Sequence, residues 1–234
     1  MSAPEERHAE LAALADKAAG ELEGRPAIEI LRWAADEFGE RLCMTSSMAD
    51  SVLAHLASQV LPGIHVIFLD TGYHFAETIG TRDAIASSLP VQVLSVRPSQ
   101  TVPEQDADYG PRLYERNPDL CCRLRKVRPL EASLSPYWSW ASGIRREESE
   151  SRTDVPVVGW DARRGMVKVN PIAAWSQDDV DDYSERNGVI VNPLVGAGYL
   201  SIGCAPCTRA VAPGEDPRAG RWADFGKTEC GLHT

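Results

Sequence analysis

With 234 residues, 34 acidic against 24 basic side chains and a formal net charge of -10, the chain can build one sizeable core and lacks the general positive field of a nucleic-acid binder. No stretch approaches the ~18 apolar residues of a membrane span. The opening MSAPEERHAELAALADKAAGELEG lacks the basic and apolar runs of a secretory signal, so the expectation is a cytoplasmic protein with reduced thiols, no membrane partner and any anion site confined to a local cluster of cations.

In chain order, residues 5–23 and 26–38 have apolar positions at helical spacing and predict two amphipathic helices, with Pro26 at a helix start. RLCMTSS then predicts a short strand, MADSVLAHLASQV a helix and HVIFLD a buried strand. Residues 73–88 predict another helix, VQVLSV a third strand and YWSWASG a fourth that ends at Gly143. Strands alternating with helices predict an α/β fold, a mainly parallel twisted sheet covered on both faces, with ligands beyond the carboxyl ends of its strands. WDARRGMVKV predicts a small strand or hairpin, and Ser176 caps a following helix whose first turns are acidic. From Asn192 onward glycine and proline crowd the sequence and predict loops. The chain divides into residues 1–203, an α/β unit with the first cysteine pair, and 204–234, a loop-rich C-terminal segment, the two forming one structural domain.

Six cysteines in a reducing compartment point to metal binding or catalysis more than to a disulfide framework. Cys121 and Cys122 are adjacent, a poor geometry for a disulfide with each other, and Cys204 and Cys207 form a C-x-x-C pair. Four thiolates suit a structural zinc or a cubane iron–sulfur cluster, and adjacent residues reach two irons more easily than one tetrahedral ion. Cys43, in a predicted strand, reads as a small core residue. Cys230 stands apart in KTECGLHT, where a thiol on an exposed arm suits a nucleophile that meets a substrate and then a second protein.

Taken together, TSSMADS (45–51), FLDTGYHFAET (68–78), CCRLRKVRPL (121–130), SGIRREES (142–149), GCAPCTRAV (204–211), PRAGRW (217–222) and ECGLH (229–233) resemble the assimilatory adenosine-5'-phosphosulfate reductase family, in that family's order. The resemblance implies an adenine-nucleotide α-hydrolase-like fold, a [4Fe-4S] cluster on Cys121, Cys122, Cys204 and Cys207, Cys230 as nucleophile, and thioredoxin or a similar dithiol protein as reductant. It implies nucleotide contacts from Ser46, Ser47 and Asp50 at a strand-to-helix turn, and from Asp70 and Gly72 after the second strand. Relatives that split ATP carry glycines where this chain has Ser47 and Met48, so ATP cleavage is not expected.

A sulfate–phosphate anhydride requires local cations and donors. The residues expected to supply them are Lys126, Arg145, Arg146, Arg152, Arg218 and Arg221, with Gly143 at the preceding strand end. Arg123, Arg125, Arg128, Arg163 and Arg164 read as solvated or unassigned. The expected reaction is reduction of adenosine 5'-phosphosulfate to sulfite and AMP. The alternatives are reduction of the 3'-phosphorylated nucleotide, whose enzymes typically lack the two cysteine pairs, ATP-dependent tRNA thiolation, and a zinc-stabilised binding module. A homo-oligomer is compatible with all of them.

Overall fold

The computed structural model describes residues 3–223, 227 and 231–232. Two helices, α1 (Ala3–Leu22) and α2 (Ala27–Phe38), precede the first strand, and Pro26 stands at the N-cap of α2. Then follow β1 (Leu42–Thr45), α3 (Val52–Val60), β2 (His65–Leu69), α4 (Ala76–Ser88) and β3 (Gln92–Val96). The segment between β3 and the next strand folds as α5 (Val102–Tyr109), α6 (Leu113–Arg116), α7 (Pro118–Cys122), a π-helical turn (Arg123–Val127) and α8 (Arg128–Leu134). The chain continues through β4 (Ser139–Ala141), the hairpin strands β5 (Val158–Asp161) and β6 (Met166–Val169), α9 (Gln177–Asn187) and α10 (Pro193–Gly196).

The six strands form one sheet in the order β3-β2-β1-β4-β6-β5, parallel except for the antiparallel β5–β6 pair. Their side chains alternate between two cores, as the pleat requires. Leu42, Met44, Val66, Phe68, Ala141, Val167 and Val169 enter the larger core with α1, α2 and α3. Cys43, Ile67, Trp140 and Met166 face the other side, against Leu130 and Leu134 of α8 and Tyr137. Cys43 is fully buried there, as expected, and burial pushes its thiol pKa up.

From β1 the chain steps outward through β2 to β3, then returns with β4 on the other side of β1. That reversal opens a crevice beyond the carboxyl ends of β1 and β4, the position where open α/β sheets bind ligands. Among the described residues, no helix is long and apolar enough to cross a membrane.

Candidate active site

A cleft of about 360 Å³ occupies this switch point, lined from β1 onward by Thr45, Ser46, Ser47 and Asp50, and after β4 by Ser142, Gly143 and Arg145. The β1–α3 loop is held rigidly from a distance. Asn192, fully buried, donates its side-chain amide to Met48 O (3.0 Å) and Thr78 Oγ1 (3.3 Å), and its backbone N–H to Ala49 O (2.9 Å). Ser46 Oγ accepts the Met48 N–H (3.1 Å), and Asp50 Oδ1 accepts the Val52 N–H (2.9 Å) at the start of α3. Met48 takes a left-handed backbone (φ 62°) although it is not glycine, with its side chain fully buried. A backbone conformation that glycine adopts freely is thus held here by the packing of a methionine side chain. Removal from water raises the Asp50 pKa, opposed first by the Val52 hydrogen bond and then by Arg145.

Arg145, Arg152, Arg218, Arg221 and Lys126 all line this cleft. Arg145 donates to Gln177 of α9 (2.6 Å), and Arg152 is ion-paired with Glu148. Arg145 Nη1 and Arg221 Nε are buried and have no partner among the described residues. Each is a buried donor whose hydrogen bond is unmet, in a guanidinium at the edge of the cleft that both residues line. Arg221 stacks on Trp222 with its guanidinium 4.3 Å from the ring centroid and donates to Ser201 Oγ and Ile202 O, both at 3.2 Å.

The four paired cysteines line a second, smaller pocket beside the first, together with Tyr73, Tyr114, Arg125, Lys126 and Trp222. Asn117 starts α7 by accepting the Leu120 N–H (3.0 Å), with Pro118 in its first turn. The π turn that follows puts Arg125 and Lys126 on the pocket side along with Cys121 and Cys122; such single π turns recur at functional sites. The C-x-x-C segment is tied in by Ala205 N–H to Tyr73 O (2.7 Å) and by Trp222 N–H to Cys207 O (3.0 Å), while Thr208 bridges to Arg221. Thr71 Oγ1 lies 3.3 Å from Cys204 Sγ.

Burial and then mutual proximity push the Cys121 pKa up to about 12, and burial and Cys204 push Cys207 up to about 11. Among the described residues no three His, Cys, Asp or Glu side chains gather as a single-ion site. The thiols instead surround a shared pocket. Four cysteine sulfurs around one apolar-rimmed pocket form the kind of donor set that holds an iron–sulfur cluster. Lys126, buried itself, lines both cavities and joins them.

Three expected nucleotide residues stand elsewhere. Arg146 is turned away from the cleft, donating to Val155 O (2.8 Å) and to both carboxylate oxygens of Glu23 (2.9 and 2.8 Å). Asp70 and Gly72 do not line the cleft: Asp70 accepts the Gly72 N–H (3.2 Å) and pairs with Arg97 (3.1 Å), shaping the turn that carries Thr71 to Cys204. Two arginines read as solvated or unassigned have side chains withdrawn from water. Arg125, 3% exposed, donates to Thr71 O (2.5 Å) and Gln105 Oε1 (3.1 Å), and Arg164 pairs with Asp161 (2.8 Å). Cys230 lies outside the described residues.

Sequence reasoning did not find His74, Glu148, Gln177 or Asp181 in the cleft, nor the exposed Val191 and Leu200 at its lining. His74 packs on Phe68 (4.8 Å between ring centroids) and binds Leu69 O (2.8 Å), and burial lowers its pKa. Its place inside FLDTGYHFAET was the available signal.

The description "Phosphoadenosine phosphosulfate reductase domain" matches residues 41–210. The chain is 63% identical to the adenosine 5'-phosphosulfate reductase of Streptomyces coelicolor, over 96% of this chain and 95% of that protein. It is 53% identical to the Mycolicibacterium smegmatis adenosine 5'-phosphosulfate reductase, again over 96% and 95%. Among solved structures it is similar to the phosphoadenylyl-sulfate reductase of Candida auris in a phosphate complex, with a TM-score of 0.70 and 26% identity over 84% of this chain and 96% of that one. It also shares its fold with the FMN adenylyltransferase of Candida glabrata, at a TM-score of 0.58 and 10% identity over 86% of this chain and 74% of that one. The adenine-nucleotide α-hydrolase-like fold expected from the motifs is therefore the fold observed, and the chain, an enzyme by this kinship, belongs to the adenosine 5'-phosphosulfate reductase branch of the phosphoadenosine phosphosulfate reductase domain family.

Proposed function

We propose that this enzyme reduces adenosine 5'-phosphosulfate to sulfite and AMP in sulfate assimilation, with Cys230 as nucleophile. The observation that carries the reading is the convergence of Arg145, Arg152, Arg218, Arg221 and Lys126 on a strand-end cleft that shares Lys126 with a four-cysteine pocket. A nucleotide bearing a sulfate on its phosphate matches that positive, donor-rich surface.

In the first step the Cys230 thiolate attacks the sulfate sulfur. An S–S bond forms, the S–O bond to phosphate breaks, and AMP leaves with the electron pair, giving an enzyme S-sulfocysteine. Arg218, Arg221 and Lys126 hold the sulfate and phosphate oxygens and offset the charge that develops on the leaving phosphate. Ser46, Ser47, Asp50 and Gly143 line the nucleotide's side of the cleft, with Arg145 and Arg152. In the second step a thiolate of thioredoxin, or of a similar dithiol protein, attacks the Cys230 sulfur and displaces sulfite. The partner's second thiol then resolves the mixed disulfide, so two thiols supply the two electrons that convert sulfate to sulfite.

A [4Fe-4S] cluster on Cys121, Cys122, Cys204 and Cys207 would, when bound, supply fixed charge beside the substrate and clamp the two cysteine pairs together. From the later part of the same domain, Cys204, Cys207, Arg218 and Arg221 complete the lining. The reaction belongs to the cytoplasm, where dithiol proteins are kept reduced.

The test is anaerobic incubation of purified protein with a dithiol reductant and each nucleotide, measuring sulfite. Turnover should favour adenosine 5'-phosphosulfate in kcat/KM. Equal or preferred turnover of the 3'-phosphorylated form would overturn the assignment.

A further inference from the structure

Arg164 lies in the turn of the β5–β6 hairpin, where a charged side chain ordinarily faces water. Here its side chain is only 5% exposed. One arm of the guanidinium pairs with Asp161 (Nη1 to Oδ2, 2.8 Å), and that carboxylate also accepts the indole N–H of Trp140 (3.2 Å). The cation lies 5.4 Å from the centroid of the Trp140 ring. Its backbone N–H donates to Asp161 as well, to Oδ1 at 3.2 Å and to the carbonyl at 3.1 Å. The guanidinium is thus fixed from the sheet. Its other arm, Nη2, donates to the carbonyl of Leu232 at 3.1 Å, 68 positions along the chain.

Leu232 lines the nucleotide cleft and packs on the core face formed by Trp140, Ile67 and Leu130. A second tether lies upstream, where Lys227 pairs with Asp119, two residues before Cys121, and is 6.0 Å from the centroid of Trp222. The hairpin needs only the Asp161 contacts. The bond to Leu232 is an additional, charge-assisted grip on the C-terminal segment, and Cys230 stands two residues before Leu232. Two residues of chain span at most about 7 Å, so fixing Leu232 limits the range of the thiol. Limiting that range lowers the entropy lost when a nucleophile reaches its target.

We propose that Arg164 is a positioning residue for the transfer step: from its Asp161-fixed guanidinium it holds the Leu232 carbonyl beside the nucleotide cleft and so limits the reach of Cys230. The inference rests on the reading of Cys230 as nucleophile. A lysine at this position keeps a cation for Asp161 but lacks the planar fork that serves two acceptors at once.

The test compares wild-type holoenzyme with Arg164→Lys in an anaerobic single turnover with adenosine 5'-phosphosulfate and no reductant, following AMP release and the mass of the terminal peptide. Adduct formation should slow about tenfold, as for loss of one charge-assisted hydrogen bond. Iron content and AMP affinity should stay within about twofold of wild type on the same scale. In the same samples without nucleotide, alkylation of Cys230 by iodoacetamide should become faster. If Arg164→Lys does not fold, Arg164→Gln, which puts a single amide in place of the fork that serves Asp161 and the Leu232 carbonyl together, should show the same slower adduct and faster alkylation. Wild-type rates of both in a folded variant overturn the inference. Absence of an adduct on Cys230 in the wild type sinks the nucleophile reading instead, while the alkylation arm still reports whether Arg164 holds the segment.

Discussion

Thr71 Oγ1 and Cys204 Sγ lie 3.3 Å apart in a buried contact that joins the end of β2 to the C-x-x-C segment, 133 positions away. Thr71 is fully buried, and its carbonyl accepts from the equally buried Arg125, so the residue fixes the sulfur from a rigid base. Hydrogen bonds to ligating sulfur orient the ligand and tune the metal. Thr71→Val keeps the shape and removes the hydroxyl. If the paired cysteines hold the proposed cluster, the variant should fold and carry about four irons, yet lose them about tenfold faster under air or chelator. Thr71→Ser should restore most of the lifetime. Equal lifetimes in all three would show that the contact does not support the cluster.

Lys126 gives the second prediction, since it lines both the cysteine pocket and the nucleotide cleft. Lys126→Met retains the apolar stem and removes the charge. The expected result is a fall in kcat/KM of roughly tenfold to a hundredfold, corresponding to about 1.5–3 kcal/mol for a charged hydrogen bond, with iron content unchanged. Unchanged kinetics would detach Lys126 from the substrate.

Met48 sets two effects against each other. Its left-handed φ of 62° costs a non-glycine residue about 1–2 kcal/mol. Its side chain, however, is fully buried, and truncating a buried Met costs about 2–5 kcal/mol, to which glycine adds backbone entropy. Burial wins. Met48→Gly should lower unfolding stability by roughly 2 kcal/mol in a denaturant melt. A more stable variant would show that backbone strain dominates.

The sheet was legible from the sequence because β1, β2 and β4 are short apolar runs separated by helical periodicity, and the Ser176 cap marked α9 directly. The helices between β3 and β4 went unread although a signal was present. Thr101 and Glu104 form a capping box with Pro103 in the first turn, so the start of α5 was written locally. The burial of Arg125 and Arg164 had no such signal, because it depends on acceptors at Thr71 and Leu232, supplied by distant parts of the chain. Likewise, Cys204 and Cys207 meet Cys121 and Cys122 only through tertiary bonds such as Ala205 to Tyr73; the cysteine pairs suggested one four-thiolate centre, but not how the chain would bring them to a common pocket.

Asp50 yields a pH prediction. Its folded pKa is raised, chiefly by removal from water. A carboxyl with a raised folded pKa stabilises the fold relatively at low pH and loses that contribution as pH climbs from the unfolded value through the folded one. Asp50→Asn keeps an oxygen for the Val52 N–H and cannot ionise. Relative to wild type, the variant should gain stability as pH rises above the ordinary carboxylate range and show no gain below it. Parallel stability profiles for the two proteins would contradict the raised pKa.

The last prediction separates the position of a charge from its presence. Gly203 precedes Cys204, and a Cβ built on it would stand 2.6 Å from Arg221 Cζ, well inside van der Waals contact. The glycine therefore makes room for the guanidinium that stacks on Trp222 and bonds Ser201 and Ile202. Gly203→Ala retains every charge in the cleft but must push Arg221 off that stack. If Arg221 acts by placing donors against the substrate's oxygens, a displacement of about 1 Å is enough to cost activity. Gly203→Ala should then reproduce most of the kcat/KM loss of Arg221→Ala, roughly tenfold or more, and adding it to Arg221→Ala should cost little further. Iron content, measured in all three, checks that Cys204 has kept its place. Wild-type kinetics in an iron-replete Gly203→Ala enzyme would mean that Arg221 serves only as a diffuse positive charge.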